Sequence, residues 1–176
     1  MSASKLIKPS VDYKESYLEA LQLYHAEERY KNLSIKELDD NFEYFVEERC
    51  KRRSDVYCDY PEWIELVTDT VLWLVKNEDY IGTIKIRHRL NWHLEKWGGH
   101  LTFIIRPDKR NMGYGQKMLR KSKLAFNALD MDEALVTIPP DNQIARHVME
   151  KLGAVYEDEL TATDRFPEVT RYFWKI

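Results

Sequence analysis

Residues 101–119, LTFIIRPDKRNMGYGQKML, constrain the fold more than any other stretch of this chain. Leu101 to Ile105 favour a strand, and Pro107, which cannot donate to a sheet ladder, ends it. A basic loop follows, then Gly113 and Gly115. After them Met118, Leu119, Ser122, Ala125, Phe126 and Leu129 recur with the period of a helix. A strand that yields to a helix in this way turns the helix's first amides toward the strand's end. Those amides have no partner inside the helix, and the helix dipole adds the equivalent of about half a positive charge there. Glycine lets an anion's oxygens approach the amides with no Cβ in the way. The stretch therefore predicts an α/β architecture with a phosphate-sized site between a strand and a helix. A Walker loop is excluded, because Gly115 is followed by Gln116 and Lys117 where Lys and Ser or Thr are required. A dinucleotide fingerprint is excluded by Met118, which stands at its third glycine and would hold the helix off the strand.

The flanking sequence supplies the rest of the architecture. With 176 residues, one domain and one core are expected, and no repeat or linker interrupts them. Tyr17, Leu18, Leu21, Tyr24 and His25 lie on one face of a first helix. Ser34 and Glu37 have the spacing of a capping box, so a second helix should follow, with Ile35, Leu38, Phe42, Phe45, Val46 and Arg49 along one side and the basic run 49–53 in its last turn. After Pro61 the texture becomes β-branched and aromatic. TVLWLVKN and DYIGTIKIRHRL read as two strands around a turn at Asn77-Glu78-Asp79, and GGHLTFIIRP as a third strand of the same antiparallel meander. EALVTIPP is a short buried strand. DNQIARHVMEKLG is a helix opened by Asp141 or Asn142 and closed by Gly153. AVYEDEL and EVTRYFWKI are two further strands, so a mixed sheet with helices packed on it is expected.

Composition narrows the function. A net charge of −3 argues against a general nucleic-acid binder, although residues 106–123 carry seven basic side chains against the single acid Asp108. Lys117, Arg120, Lys121 and Lys123 read as a solvated helix face. No apolar run is long enough for a membrane helix and the first ten residues lack a secretory signal, so a cytoplasmic location is expected. Cys50 and Cys58 form neither a CxxC pair nor a disulfide framework.

The pattern Arg110-x-x-Gly113-x-Gly115 after a strand resembles the acetyl-CoA signature of the GNAT superfamily of N-acetyltransferases, and its context extends the likeness. LTFIIRP is similar to that family's central strand, and DNQIARHVMEKLGA to its later helix opened by an asparagine. The run from Ile81 to Leu119, with the terminal RYFWKI, resembles a bacterial branch of predicted acetyltransferases. The resemblance covers residue 68 to the end, the cofactor-binding core. Residues 1–60 match only as a strand and two helices on the variable acceptor side. It implies the GNAT fold over 1–176, with a central mixed sheet of six to seven strands flanked by about four helices, and it allows a homodimer.

What the resemblance implies about chemistry follows. Acetyl-CoA is the expected co-substrate. Its arm would lie along main-chain groups of Ile104, Ile105 and Arg106, and its pyrophosphate on the amides of Asn111, Met112, Gly113, Tyr114, Gly115 and Gln116. Arg110 would add charge, and the Asn142 side chain would reach the cofactor as well as cap its helix. The acceptor would be a primary amine of a small molecule or peptide. A lysine-like amine near pKa 10.4 lies about 3.4 units above neutrality, so freeing its lone pair costs about 4.6 kcal/mol. His100, on the central strand in line with Thr102 and Ile104, is the candidate base, with a passive strand-end histidine as the competing reading. Many relatives carry a tyrosine as general acid where this chain has Met149, so no general acid is assigned; Tyr114, Tyr156 and Tyr172 could compensate only if the fold brings them close. His88, His93 and His100 fit no metal-ligand spacing, and none is expected to hold a metal. Asp55, Asp59, Glu62, Glu65 and Asp69 point to a cationic acceptor. The alternatives are a catalytically inactive GNAT fold that binds acyl-CoA as a sensor or partner-binding module, and a nucleic-acid- or ribosome-associated modifier using the basic stretch.

Overall fold

The structure is a computed structural model that describes residues 3–51 and 65–176. Asp55, Asp59, Glu62, Cys58, Arg52 and Arg53 lie outside the described residues. Seven strands form two ladders. In the first, β1 (Lys5–Ile7), β2 (Asp69–Lys76), β3 (Asp79–Arg87) and β4 (Leu101–Ile105) lie side by side in that order; in the second, β7 (Val169–Lys175) lies between β5 (Glu133–Ile138) and β6 (Val155–Leu160). Every pairing within the ladders is antiparallel. The expected meander is therefore present, with its turn at Asn77, whose φ of 54° is of the left-handed kind that asparagine tolerates. A bulge between Leu74 and Val75 leaves Ile81 between the register partners Tyr80 and Gly82, so Tyr80 and Ile81 serve opposite faces of the sheet.

Both faces of the first ladder are covered. On one side α1 (Lys14–Ala26), α2 (Ile35–Asp40) and α3 (Phe42–Cys50) place Leu18, Leu21, Tyr24, Leu38, Phe42 and Val46 against Val71, Trp73, Val75 and Tyr80. Tyr17 stacks on Trp73 with centroids 4.9 Å apart. On the other side α4 (Tyr114–Asn127) presses Met118, Leu119 and Phe126 onto Ile84, Ile86, Leu101 and Ile105. The second ladder and α5 (Gln143–Lys151) close the same core through Val136, Tyr172, Trp174 and Met149. Burying each such side chain fully contributes roughly 1.5–3 kcal/mol, which is why β2, covered on both faces, can be continuously apolar from Val71 to Val75.

The single helix expected after Ser34 is two. Ser34 does cap it, its hydroxyl accepting from the Glu37 amide at 3.3 Å. At Asn41 the backbone turns to φ −130°, ψ 32°, and the Asn41 side chain donates to the Glu37 carbonyl at 3.0 Å. That bond satisfies the end of α2 and lets α3 restart in a new direction, keeping Leu38, Phe42 and Val46 all in the core. A face that is continuous in sequence is thus shared by two helices.

Candidate functional site

The two ladders meet at one end and part at the other. At the meeting point the His100 amide donates to the Leu135 carbonyl at 2.7 Å, and the Leu135 amide donates to His100 Nδ1 at 2.9 Å. From there β4 and β5 run onward without pairing, and a cleft of about 1030 Å³ opens between them. Leu101 to Ile105 form one wall, Val136 to Pro139 the other, and the loop from Lys109 to Gln116 with Asn142 and the exposed side of α5 form the mouth.

The floor of that mouth is main chain. Gly113, at φ 75° and ψ 8°, caps α4 in the left-handed conformation, and no side chain caps the helix. None of the six consecutive amides from Asn111 to Gln116 donates a hydrogen bond within the described protein; the first to do so is Lys117, to the Gly113 carbonyl at 3.1 Å. Unpartnered amides at the start of a helix, beside an open cleft, are a receptor for an anion with several oxygens. The two glycines serve different needs. A Cβ on Gly113 would meet nothing within 4 Å, so the residue answers to its positive φ. A Cβ on Gly115 would sit in ordinary contact with Phe103, at 3.8 Å, inside the cleft, so the fold tolerates a side chain there and the open approach to the amides does not.

Ile104, Ile105, Arg110, Asn111, Gly113, Tyr114, Gly115, Gln116 and Asn142 line the cleft, whereas Arg106, Met112 and His100 do not. Arg106 is 4% exposed, and its guanidinium donates to Asp108 at 2.7 Å, to the Ser16 hydroxyl at 2.9 Å and carbonyl at 3.3 Å, and to the Tyr80 carbonyl at 3.2 Å. It ties α1 to the sheet and adds nothing to the basic surface. Met112 points outward, 59% exposed. Ladder parity corrects the assignment of main-chain groups to the cleft. The Arg106 amide donates to Ile81 and the His100 carbonyl accepts from Arg87, so in this register Thr102, Ile104 and Arg106 turn their main-chain groups to β3. Leu101, Phe103 and Ile105 turn theirs to the cleft. Phe103 was missed because its parity depends on a register that no sequence pattern displays.

The arginine of the loop is already engaged. Arg110 donates both terminal nitrogens to the Glu27 carboxylate, at 2.7 and 2.8 Å, and Nε to the Ile105 carbonyl at 3.1 Å. This bidentate pair holds the Glu27 carboxyl below its ordinary pKa. Arg110, while lining the cleft, thus also clamps the loop to the end of α1. Asn142 caps α5, its Oδ1 accepting from Ala145 at 3.1 Å, while also facing the cleft. Of the three tyrosines, Tyr114 lines the cleft. Tyr172 is buried, accepting from Arg146 at 3.0 Å and donating to Glu150 at 3.2 Å, and Tyr156 lies exposed on β6. Met149 is fully buried in the core.

His100 does not suit the part of a base. Because the Leu135 amide donates to Nδ1, the hydrogen of the neutral ring sits on Nε2, and the one lone pair is in use. Burial first, and then the nearby Arg87 guanidinium, push its pKa below the ordinary value. Glu65 and Asp69, the two described members of the expected acidic group, face cations: Glu65 pairs with Arg89 and Asp69 with Lys85 at 3.7 Å. No helix among the described residues is long and apolar enough to cross a membrane.

Comparison with known proteins agrees with this geometry. No curated protein matches the sequence significantly. Among solved structures, the acetyltransferase from Salmonella typhimurium that modifies the N-terminal serine of ribosomal protein L7/L12 superposes with a TM-score of 0.68 at 11% identity, over 100% of this chain and 96% of that one. The microcin C7 self-immunity acetyltransferase, in complex with acetyl-CoA and AMP, gives 0.68 at 9% identity, over 98% and 92%. The spermidine/spermine N-acetyltransferase of Vibrio cholerae gives 0.58 at 14% identity, over 98% and 95%. At such identities these likenesses establish a shared fold. The family described as acetyltransferase (GNAT) domain matches residues 15–155 of the sequence. With four fifths of its length so matched and its sheet parted beside the glycine loop, the chain belongs to the GNAT acetyltransferase family.

Proposed function

We propose that the protein transfers the acetyl group of acetyl-CoA to a primary amine by direct attack. The observation that carries this reading is the row of six unpartnered amides, Asn111 to Gln116, at the mouth of a cleft between two unpaired strands. Such a row fits a pyrophosphate, and a cleft edged by the outward main-chain groups of β4 fits an extended amide-bearing arm. Acetyl-CoA, when bound, supplies an activated acyl carbon. The amides would hold its pyrophosphate, Phe103 and the Ile105 amide would order its arm, and Asn142 would close the far side. The acceptor nitrogen bonds to the acyl carbon as the carbon–sulfur bond breaks, and the amine's proton leaves to solvent water. The thiolate is a tolerable leaving group, so the burial of Met149 at the position of the usual acid does not forbid the step. Residues 1–176 would act as one domain, with 68–176 holding the cofactor and 1–60 shaping the acceptor side, in the cytoplasm and without a metal.

A second reading rests on the same side chains. His100 and Tyr172 are committed to internal bonds and Met149 to the core, as they would be in an acyl-CoA-binding module without turnover. Thiol release measured with acetyl-CoA across polyamines, aminoglycosides, amino acids and N-terminal peptides separates the two. An amine that raises release well above hydrolysis, with faster rates on cationic members, supports the enzyme. Tight binding of coenzyme A with no amine-dependent release refutes it in favour of the module.

A further inference from the structure

We propose that His100 is a positioning residue whose imidazole stands in for a main-chain carbonyl, pinning β4 to β5 at the point where the ladders part and so fixing the width of the cleft. In an ordinary ladder the N–H and C=O of one residue face the same neighbouring strand. His100 has neighbours on two sides. Its carbonyl accepts from the Arg87 amide of β3 at 2.7 Å, while its amide donates the other way, to Leu135 of β5 at 2.7 Å. The Leu135 amide, on a residue only 5% exposed, is thereby left facing His100 with no carbonyl to receive it. The ring fills that gap, Nδ1 accepting from it at 2.9 Å. A buried amide left without a partner is costly, so the side chain decides whether the two strands can be joined there.

The surroundings are built for the same junction. Gly99 has φ 60°, and a Cβ on it would stand 2.6 Å from the Leu135 carbonyl, so the chain can come this close to β5 only as glycine. Arg87 holds the chain from the β3 side, donating to the carbonyls of Gly98 and Gly99 at 3.0 Å each. On the β5 side the Thr137 hydroxyl donates to the Trp97 carbonyl at 3.0 Å. Beyond His100 such bonds cease and the cleft begins with Leu101 and Val136. The ring is thus the last tie before the strands diverge, and its loss should let the walls shift relative to the amides of the glycine loop.

This inference rests on the acetyl-CoA reading for its consequence but not for its geometry, and the test separates them. Asn places an acceptor oxygen where His has Nδ1, whereas Gln places one where His has Nε2. The experiment compares wild type, His100→Asn, His100→Gln and His100→Ala by coenzyme A binding, amine-dependent thiol release, and hydrogen exchange of the Leu135 amide. His100→Asn should keep all three close to wild type. His100→Gln and His100→Ala should speed Leu135 exchange by about 10- to 100-fold and weaken coenzyme A binding, with turnover falling in step. If the Ala variant does not fold, the Asn and Gln pair carries the comparison. A His100→Asn variant that binds coenzyme A normally but loses turnover by two orders of magnitude, together with the acid limb of its pH–rate profile, would overturn the proposal and make the ring a base. Unchanged Leu135 exchange in His100→Gln would overturn it as well. Should wild type fail to bind coenzyme A, the functional reading falls, and the exchange measurement still decides the role of the ring.

Discussion

Replacing the two loop glycines one at a time should move stability in opposite directions while weakening cofactor binding at one of them in particular. Gly113 is left-handed with empty space around its missing Cβ, so Gly113→Ala pays only for the backbone, about 1 kcal/mol. For a domain of this size that lowers the melting temperature by about 2–4 °C. Gly115 lies in the first turn of α4, and a methyl there makes ordinary contact with Phe103. Gly115→Ala should therefore gain helix propensity, up to about 1 kcal/mol, and raise the melting temperature by a similar amount. The same methyl enters the space in front of the unpartnered amides. Losing one charge-assisted bond to a phosphate oxygen costs about 1.5–3 kcal/mol, or roughly 10- to 150-fold in affinity. Thermal unfolding without ligand and calorimetric titration with coenzyme A measure both effects on the same preparations. A Gly115→Ala protein that is stabilised and still binds coenzyme A with wild-type affinity refutes the assignment of these amides to the pyrophosphate.

Two other perturbations test how the site is held. Arg106→Met should destabilise the protein by about 2–4 kcal/mol in urea unfolding, because the Ser16 and Tyr80 carbonyls lose a buried donor while the exposed Asp108 and Glu19 carboxylates simply return to water; a loss below 1 kcal/mol would mean that the buried guanidinium is not what ties α1 to the sheet. Stability should also fall as the pH drops below the ordinary histidine value near 6.5. The His100 pKa is depressed in the folded state by burial and by Arg87, so the unfolded chain takes up the proton first, and folding loses ground from about pH 6.5 down to the folded-state pKa. His93, depressed by burial and the same arginine with Glu65 opposing, contributes alike, so it is the difference between wild type and His100→Asn that reports His100; identical pH profiles for the two would contradict the depressed pKa.

Much of the fold was legible because its signals are local. The glycine loop, the Asn142 cap, the turn at Asn77 and the alternating strands each depend on residues a few positions apart, and each appears where the sequence puts it. The break at Asn41 escaped because the apolar period runs straight through it: Leu38, Phe42 and Val46 keep helical spacing whether the helix is one or two, and what divides it is a side-chain bond back to Glu37. Within the site, the residues whose role is backbone geometry were readable, and those whose role depends on partners far along the chain were not. Arg106 and Arg110 look alike in a basic loop, yet one is buried under α1 through Ser16 and the other is clamped by Glu27, about ninety and eighty residues away in sequence.

That distinction bears on how the site acquires its charge. With Arg106 buried and Arg110 matched by Glu27, the cation count of residues 106–123 overstates the field at the mouth of the cleft. Beside the cations that still line the cleft, Arg29, Lys109 and Lys151, stand the row of amides and the dipole of α4, neither of which a formal charge count registers. Fixed dipoles of this kind differ from mobile lysines in needing no reorganisation when a ligand arrives, but they are effective only if the strand in front of them is held at the correct distance. The loop and the junction at His100 are therefore parts of one arrangement. Gly113 and Gly115 create donors without partners, and the bonds between His100 and Leu135 keep the opposite wall in register with them, so the affinity of the first should be sensitive to the integrity of the second although the two stand at opposite ends of β4.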